Sequence, residues 1–129
     1  MRRDIRVAFD SSTGFRLPNR AIRSPDAAWV RKERWLALTP LQRQKYVPLC
    51  PDFLVELRSA SDELENIQQK MQEYLENGLQ LGWLIDPEMH QVEIYRPDKE
   101  VKILYSPAAL SGEEILPGFV LELKEILTE

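Results

Sequence analysis

Cysteine and histidine are almost missing: the 129-residue chain has one of each, Cys50 and His90. A single cysteine rules out an internal disulfide and fits a reducing, cytoplasmic setting. One of each is also too few for a structural zinc site. A metal bound here would take oxygen ligands, which points to magnesium, manganese or calcium. Long apolar runs are lacking as well. None approaches the roughly 20 residues that cross a bilayer, so no membrane partner is expected. The opening MRRDIRVAFD has basic residues with no apolar stretch behind them, unlike a secretory leader. No repeat, low-complexity tract or linker divides the chain, which predicts one domain over residues 1–129 with a modest core.

What is present is an ordinary globular balance, 43% hydrophobic and 29% charged. The net charge of −4 hides an asymmetry. Residues 1–50 hold 11 Lys and Arg against 4 Asp and Glu, a net of +7; residues 51–129 hold 6 against 17, a net of −11. A basic first half suits an acidic partner such as nucleic acid. The alternative is that the two halves pair their charges across one folded surface.

Turn chemistry and periodicity divide the chain. Arg6–Phe9 and Gly14–Leu17 flank Ser-Ser-Thr-Gly and read as a β-hairpin. Pro18-Asn19 turns into an extended run from Ile22 to Val30, and a short helical stretch follows near Trp35. Thr39, Pro40 and Gln42 have the spacing of an N-cap, a first helical proline and a capping-box partner. Phe53, Val55 and Leu57 alternate with Leu54, Glu56 and Arg58, as an interior strand does. Ser61 is placed to cap the next helix, whose Leu64, Ile67, Met71, Tyr74 and Leu75 form one apolar stripe. Asn77-Gly78 stops it. Leu81–Ile85 reads as a strand, Val92–Tyr95 pairs with Val101–Tyr105, and Phe119–Leu123 is a last short strand. The order of elements predicts an α+β (α/β-like) fold around a mixed sheet. His90 reads as an exposed turn residue, Cys50 as a small buried side chain, and Trp29, Trp35 and Trp83 as core or rim packing.

The chemistry concentrates between Cys50 and Tyr74. A carboxylate among Leu54, Val55 and Leu57 is costly unless a cation compensates it. A metal would do so, as would an ion pair between Glu56 and Arg58 or Lys70. Asp52 is four residues before Glu56 on the same strand face, but about 13 Å away in an ideal strand, too far to share one ion without a bend. Asp26, from a neighbouring strand, is an easier partner for Glu56. Both aspartates follow proline, and Pro-Asp is also common in turns that carry no chemistry. Lys70 is on the flank of the apolar stripe, where its stem can run along the sheet and lift the ammonium to the strand edge. Carboxylates that hold Mg²⁺ beside a lysine that orients or deprotonates water are the parts of phosphodiester hydrolysis.

SPDAAWV, CPDFLVELRSASD, the KMQEY helix and LGWLIDP together resemble the Uma-type endonuclease family of the PD-(D/E)XK, restriction-endonuclease-like superfamily. The likeness runs from about Val7 to Leu127, with four motifs in order. It implies a mixed β-sheet flanked by helices, a Mg²⁺ or Mn²⁺ site and hydrolysis of DNA. Asp26 matches the family's Pro-Asp aspartate, Glu56 the acidic member of (D/E)XK, and Asp52 the extra aspartate upstream. The motif lysine would fall at Arg58, and arginine is a poor substitute because it stays protonated. Similar proteins carry that lysine on the following helix, which matches Lys70. The catalytic set implied is therefore Asp26, Asp52, Glu56 and Lys70, with Asp26, Asp52 and Glu56 on the metal.

The family ordinarily has several dozen residues ahead of the first hairpin, with a helix and a glutamate of the site. The expectation is therefore an N-terminally truncated fold whose uncovered sheet favours a homodimer. Two rival readings stay open: an inactive nuclease-fold remnant serving interaction or oligomerisation, and a module that binds DNA without cutting it.

Overall fold

A computed structural model of the chain describes residues 6–127. Six strands form the main sheet in the order β1-β4-β5-β6-β7-β8. They are β1 (Arg6–Asp10), β4 (Ala27–Arg31), β5 (Phe53–Leu57), β6 (Leu81–Asp86), β7 (Gln91–Tyr95) and β8 (Lys102–Tyr105). Within this sheet, among the described residues, β5 and β6 are the pair that runs parallel, because the helix α3 (Leu64–Glu76) crosses over between them. A two-residue pair, β2 (Phe15–Arg16) with β3 (Ile22–Arg23), lies between β1 and β4 in sequence. The short helices α1 (Lys32–Leu36) and α2 (Pro40–Gln44) separate β4 from β5. A second small sheet of β9 (Ala109–Ser111) and β10 (Val120–Glu122) precedes α4 (Lys124–Leu127). The result is the mixed, α+β arrangement expected.

Strand alternation sends side chains to two cores. Leu54 and Leu84 face α3 and pack with Met71, Tyr74, Phe15 and Val30. Phe53, Trp83, Ile85 and Val92 face the other way, against Leu110, Leu116 and Leu123. On that second face Phe53 meets Trp83 edge-on at 4.7 Å, a favoured aromatic geometry. The helix α3 and the turn after it pack tightly over Gly82, where an added Cβ would lie 2.7 Å from Leu79 and 2.8 Å from Met71. That close seat sets the height of Lys70 and Tyr74 above β5. Gly78, at φ 112°, makes the left-handed turn that ends α3.

Two local expectations are corrected. The first strand does not pair with Gly14–Leu17; β1 pairs antiparallel with β4, Val7 opposite Val30. The Asp10 carboxylate accepts from the Ser12 N–H at 2.9 Å. This side-chain turn directs the chain off the sheet, so that Phe15 and Leu17 become buried in the α3-side core. The second correction concerns α3, which is not capped by Ser61. Asp62 accepts from the N–H of Ser59 at 2.9 Å and from its hydroxyl at 2.8 Å. The turn so formed delays the helix to Leu64. The capping box at Thr39 and Gln42 does form, on α2. No helix among the described residues is long and apolar enough to cross a membrane.

Candidate active site

The site arises from strand register. Ala27 in β4 stands opposite Val55 in β5, and the same antiparallel register carried one residue further sets Asp26 against Glu56. Asp26 is exposed, its Oδ2 accepting from the Leu57 N–H at 2.7 Å. Glu56 is buried, at 6% exposure. One turn apart on α3, Lys70 and Tyr74 project from the same helix side. The Tyr74 hydroxyl donates to Glu56 Oε2 at 2.8 Å, and Lys70 Nζ lies 3.9 Å from the same oxygen. The first is a hydrogen bond; the second, at that length, is charge proximity.

These neighbours pull Glu56 in opposite directions. Burial pushes its carboxyl above the usual carboxylate range, and the neighbouring Asp26 carboxylate adds to the rise. Lys70 and the Tyr74 hydroxyl oppose it, but burial wins. Tyr74 is itself pushed well above its ordinary range, by burial and then by Glu56, so it acts as a neutral donor. A buried carboxylate beside another carboxylate, with a cation only partly offsetting it, is an environment that additional positive charge would relieve.

Asp52 is not brought to this group. It sits at the opposite end of β5, where its Oδ1 is 2.9 Å from Arg34 Nη1 and its Oδ2 accepts from the Arg31 N–H at 2.8 Å. Asp52 and Glu56 have separate partners, Arg34 and the Arg31 N–H for the one and Tyr74 and Lys70 for the other. Asp52 thus fastens α1 and the end of β4 to β5. Among the described residues, no three or more His, Cys, Asp and Glu side chains gather as a metal-binding group.

Arg58 is also committed elsewhere. Its Nη1 pairs with the fully buried Asp86 at 3.0 Å, and its Nε donates to the Asp62 carbonyl at 3.2 Å. It ties the loop after β5 to the end of β6. Of the two cations considered for Glu56, Lys70 is the one that reaches it.

Tyr74 was missed as a polar participant because it fits the apolar stripe; its position four residues after Lys70 was the available signal. A second buried carboxylate, Glu93 on β7, escapes sequence reading for a different reason: between Val92 and Ile94 it occupies the polar position of an alternating strand, which reads as solvent-facing. It accepts from Tyr95 Oη at 2.6 Å and Gln68 Nε2 at 2.8 Å. The basic first half is partly spent on internal pairs: Arg23 with Glu73 and Arg34 with Asp52 both cross from it to the acidic half. Cys50 is buried, and burial raises its thiol to about 12, so it is no nucleophile here.

Replacing Tyr74 by Phe removes the shortest bond to Glu56 and leaves a buried anion short of a donor. Stability at pH 7 should fall by about 1.5–3 kcal/mol. Urea melts should show a smaller loss near pH 4, where a protonated Glu56 needs the donor less.

Comparison with solved structures finds the same architecture in another protein. A crystal structure described as a "putative nuclease belonging to DUF820" from Anabaena variabilis superposes with a TM-score of 0.81. It shares 21% identity, over 96% of this chain and 69% of that one, a likeness of fold. No protein of curated function matches. At the level of sequence, residues 1–124 match the Uma2 family, described as "Putative restriction endonuclease", and the chain belongs to that family.

Proposed function

We propose that this protein is a divalent-metal-dependent endonuclease that hydrolyses phosphodiester bonds in DNA. The observation that carries the reading is the convergence of Asp26, Glu56 and Lys70 from three separate elements. Restriction-endonuclease-like proteins generally use divalent metals, and the donor set here suits one. Two carboxylate groups, one buried and raised in pKa by its surroundings, match Mg²⁺ or Mn²⁺, which keep several waters and need only one or two carboxylates. Asp52 has no part in the set, since Arg34 and the Arg31 N–H already occupy it.

A divalent cation held by Asp26 and Glu56 would supply Lewis acidity toward the phosphodiester and toward water. The chain's own groups do the rest. Tyr74 holds Glu56 in one orientation by donating to Oε2. Lys70, half-exposed above Glu56, is placed to orient an attacking water and to offset charge developing on the phosphate. Arginines of the first half that face solvent, Arg16 and Arg20 among them, are available to backbone phosphates. The reading places the protein in the cytoplasm, where DNA is accessible and a lone buried thiol stays reduced.

The test is incubation of supercoiled plasmid with the protein and Mg²⁺ or Mn²⁺. Nicked and linear products should form with either ion, disappear with EDTA, and be absent for Asp26→Asn. DNA left intact under every metal condition would sink the nuclease reading. Salt-sensitive DNA binding without cleavage would then favour the binding module.

A further inference from the structure

Beside Lys70, away from Glu56, lies a cleft of about 300 Å³ lined by Arg23, Asn66, Gln69, Lys70 and Glu73. We infer that it is a second phosphate position for the DNA backbone, with Arg23 as its anion-binding residue. The inference rests on the DNA-cleaving reading above and extends it to how the strand is held.

Arg23 is fixed in place. Its Nε donates to Glu73 Oε1 at 2.7 Å and its Nη1 to the Ile22 carbonyl at 2.9 Å. The other oxygen of Glu73, Oε2, accepts from Asn19 Nδ2 at 3.1 Å, so both carboxylate oxygens are engaged. Nη2 is used by neither bond, and an arginine with one edge held presents the remainder of its fork to a phosphate. As a partly exposed ion pair, Arg23–Glu73 adds little to stability. Its larger effect is to reduce the ordering cost of Arg23 on binding an anion.

The cleft is also coupled to the reacting centre. Lys70 lines it while standing 3.9 Å from Glu56. Glu73 is three residues from Lys70 on α3, so Arg23 is seated about one helical turn away. Arg23 also precedes Asp26 by three residues, which limits their Cα separation to roughly 10 Å. Asn66 and Gln69 add neutral amide donors. The volume is at the small end of ligand pockets, roughly 300–1,000 Å³, and suits a piece of sugar-phosphate backbone. Two cations and two amides, with the single carboxylate already bonded, select for an anion.

The test uses the full chain carrying Glu56→Gln, so that DNA binds without being cut, and a labelled short duplex followed by anisotropy between about 50 and 200 mM salt. Adding Arg23→Ala should weaken binding about tenfold at about 50 mM salt, narrowing to about two- to threefold at about 200 mM, as the log–log salt slope falls by about one. Adding Lys102→Ala instead removes an equal charge from the exposed edge strand β8 and should change affinity less than about twofold. Arg23→Lys keeps the charge without the fork; it should preserve the slope yet bind about threefold more weakly. Equal effects of Arg23→Ala and Lys102→Ala would overturn the inference while leaving the nuclease reading in place. Should Arg23→Ala fail to fold, unchanged affinity in Arg23→Lys would overturn it. Duplex binding by none of the proteins would overturn both.

Discussion

Glu56→Gln should abolish metal-dependent cleavage, lowering the rate by at least about 10³-fold, while leaving the fold intact or firmer. The loss follows from removing one of the two carboxylates that converge among the described residues, and the scale is that of deleting a principal electrostatic group of an active site. Isothermal titration with Mn²⁺ should show binding to the wild type and none to the variant; equal binding by both would remove Glu56 from the site. The stability half of the prediction comes from burial. The folded-state pKa of Glu56 lies above its ordinary value of 4.5. Its contribution is therefore fully present below pH 4.5 and is lost as pH rises through the higher folded value. At pH 7 the ionised side chain is a cost, and a neutral amide of similar shape lifts it. Denaturation in the absence of metal should find the variant at least as stable as wild type at pH 7, with the advantage gone near pH 4. Function and stability thus pull apart at this residue, as expected of a site kept for chemistry.

Lys70→Ala is the second large effect, and it should separate chemistry from metal binding. Loss of the group that orients or deprotonates water costs about 10²–10⁴ in rate. Mn²⁺ affinity should hold or improve above pH 8, because removing Lys70 removes a positive charge 3.9 Å from Glu56 Oε2. Lys70→Arg then tells the two roles of the lysine apart. A guanidinium keeps the positive charge but does not give up a proton, so recovery of most of the rate would assign Lys70 a purely electrostatic role. A Lys70→Ala protein that cuts DNA at the wild-type rate would exclude the lysine from the mechanism altogether.

Much of the fold could be read locally. The alternation through Phe53–Leu57, the apolar stripe from Leu64 to Leu75, the Asn77-Gly78 stop and the capping box at Thr39 and Gln42 each involve residues within a few positions of one another. Short-range geometry governs such signals, and the structure reproduces them. The two local misreadings, at Asp10–Gly14 and at Ser61, have one cause. In each, a carboxylate outcompeted the expected pattern by accepting backbone and hydroxyl bonds from a nearby serine.

The site divides along the same line. Sequence alone determined that Glu56 lies in an apolar strand and needs a partner, that Asp26 and Lys70 are candidates, and that Arg58 is a poor replacement for the motif lysine. Tertiary structure decided which of the candidates meet. Antiparallel register between β4 and β5 brings Asp26 to Glu56 and leaves Asp52 with Arg34. The parallel β5-α3-β6 crossover lowers Lys70 and Tyr74 onto the same carboxylate, while Asp86 draws Arg58 away. Sheet register joins residues tens of positions apart, and no periodicity within either strand encodes it.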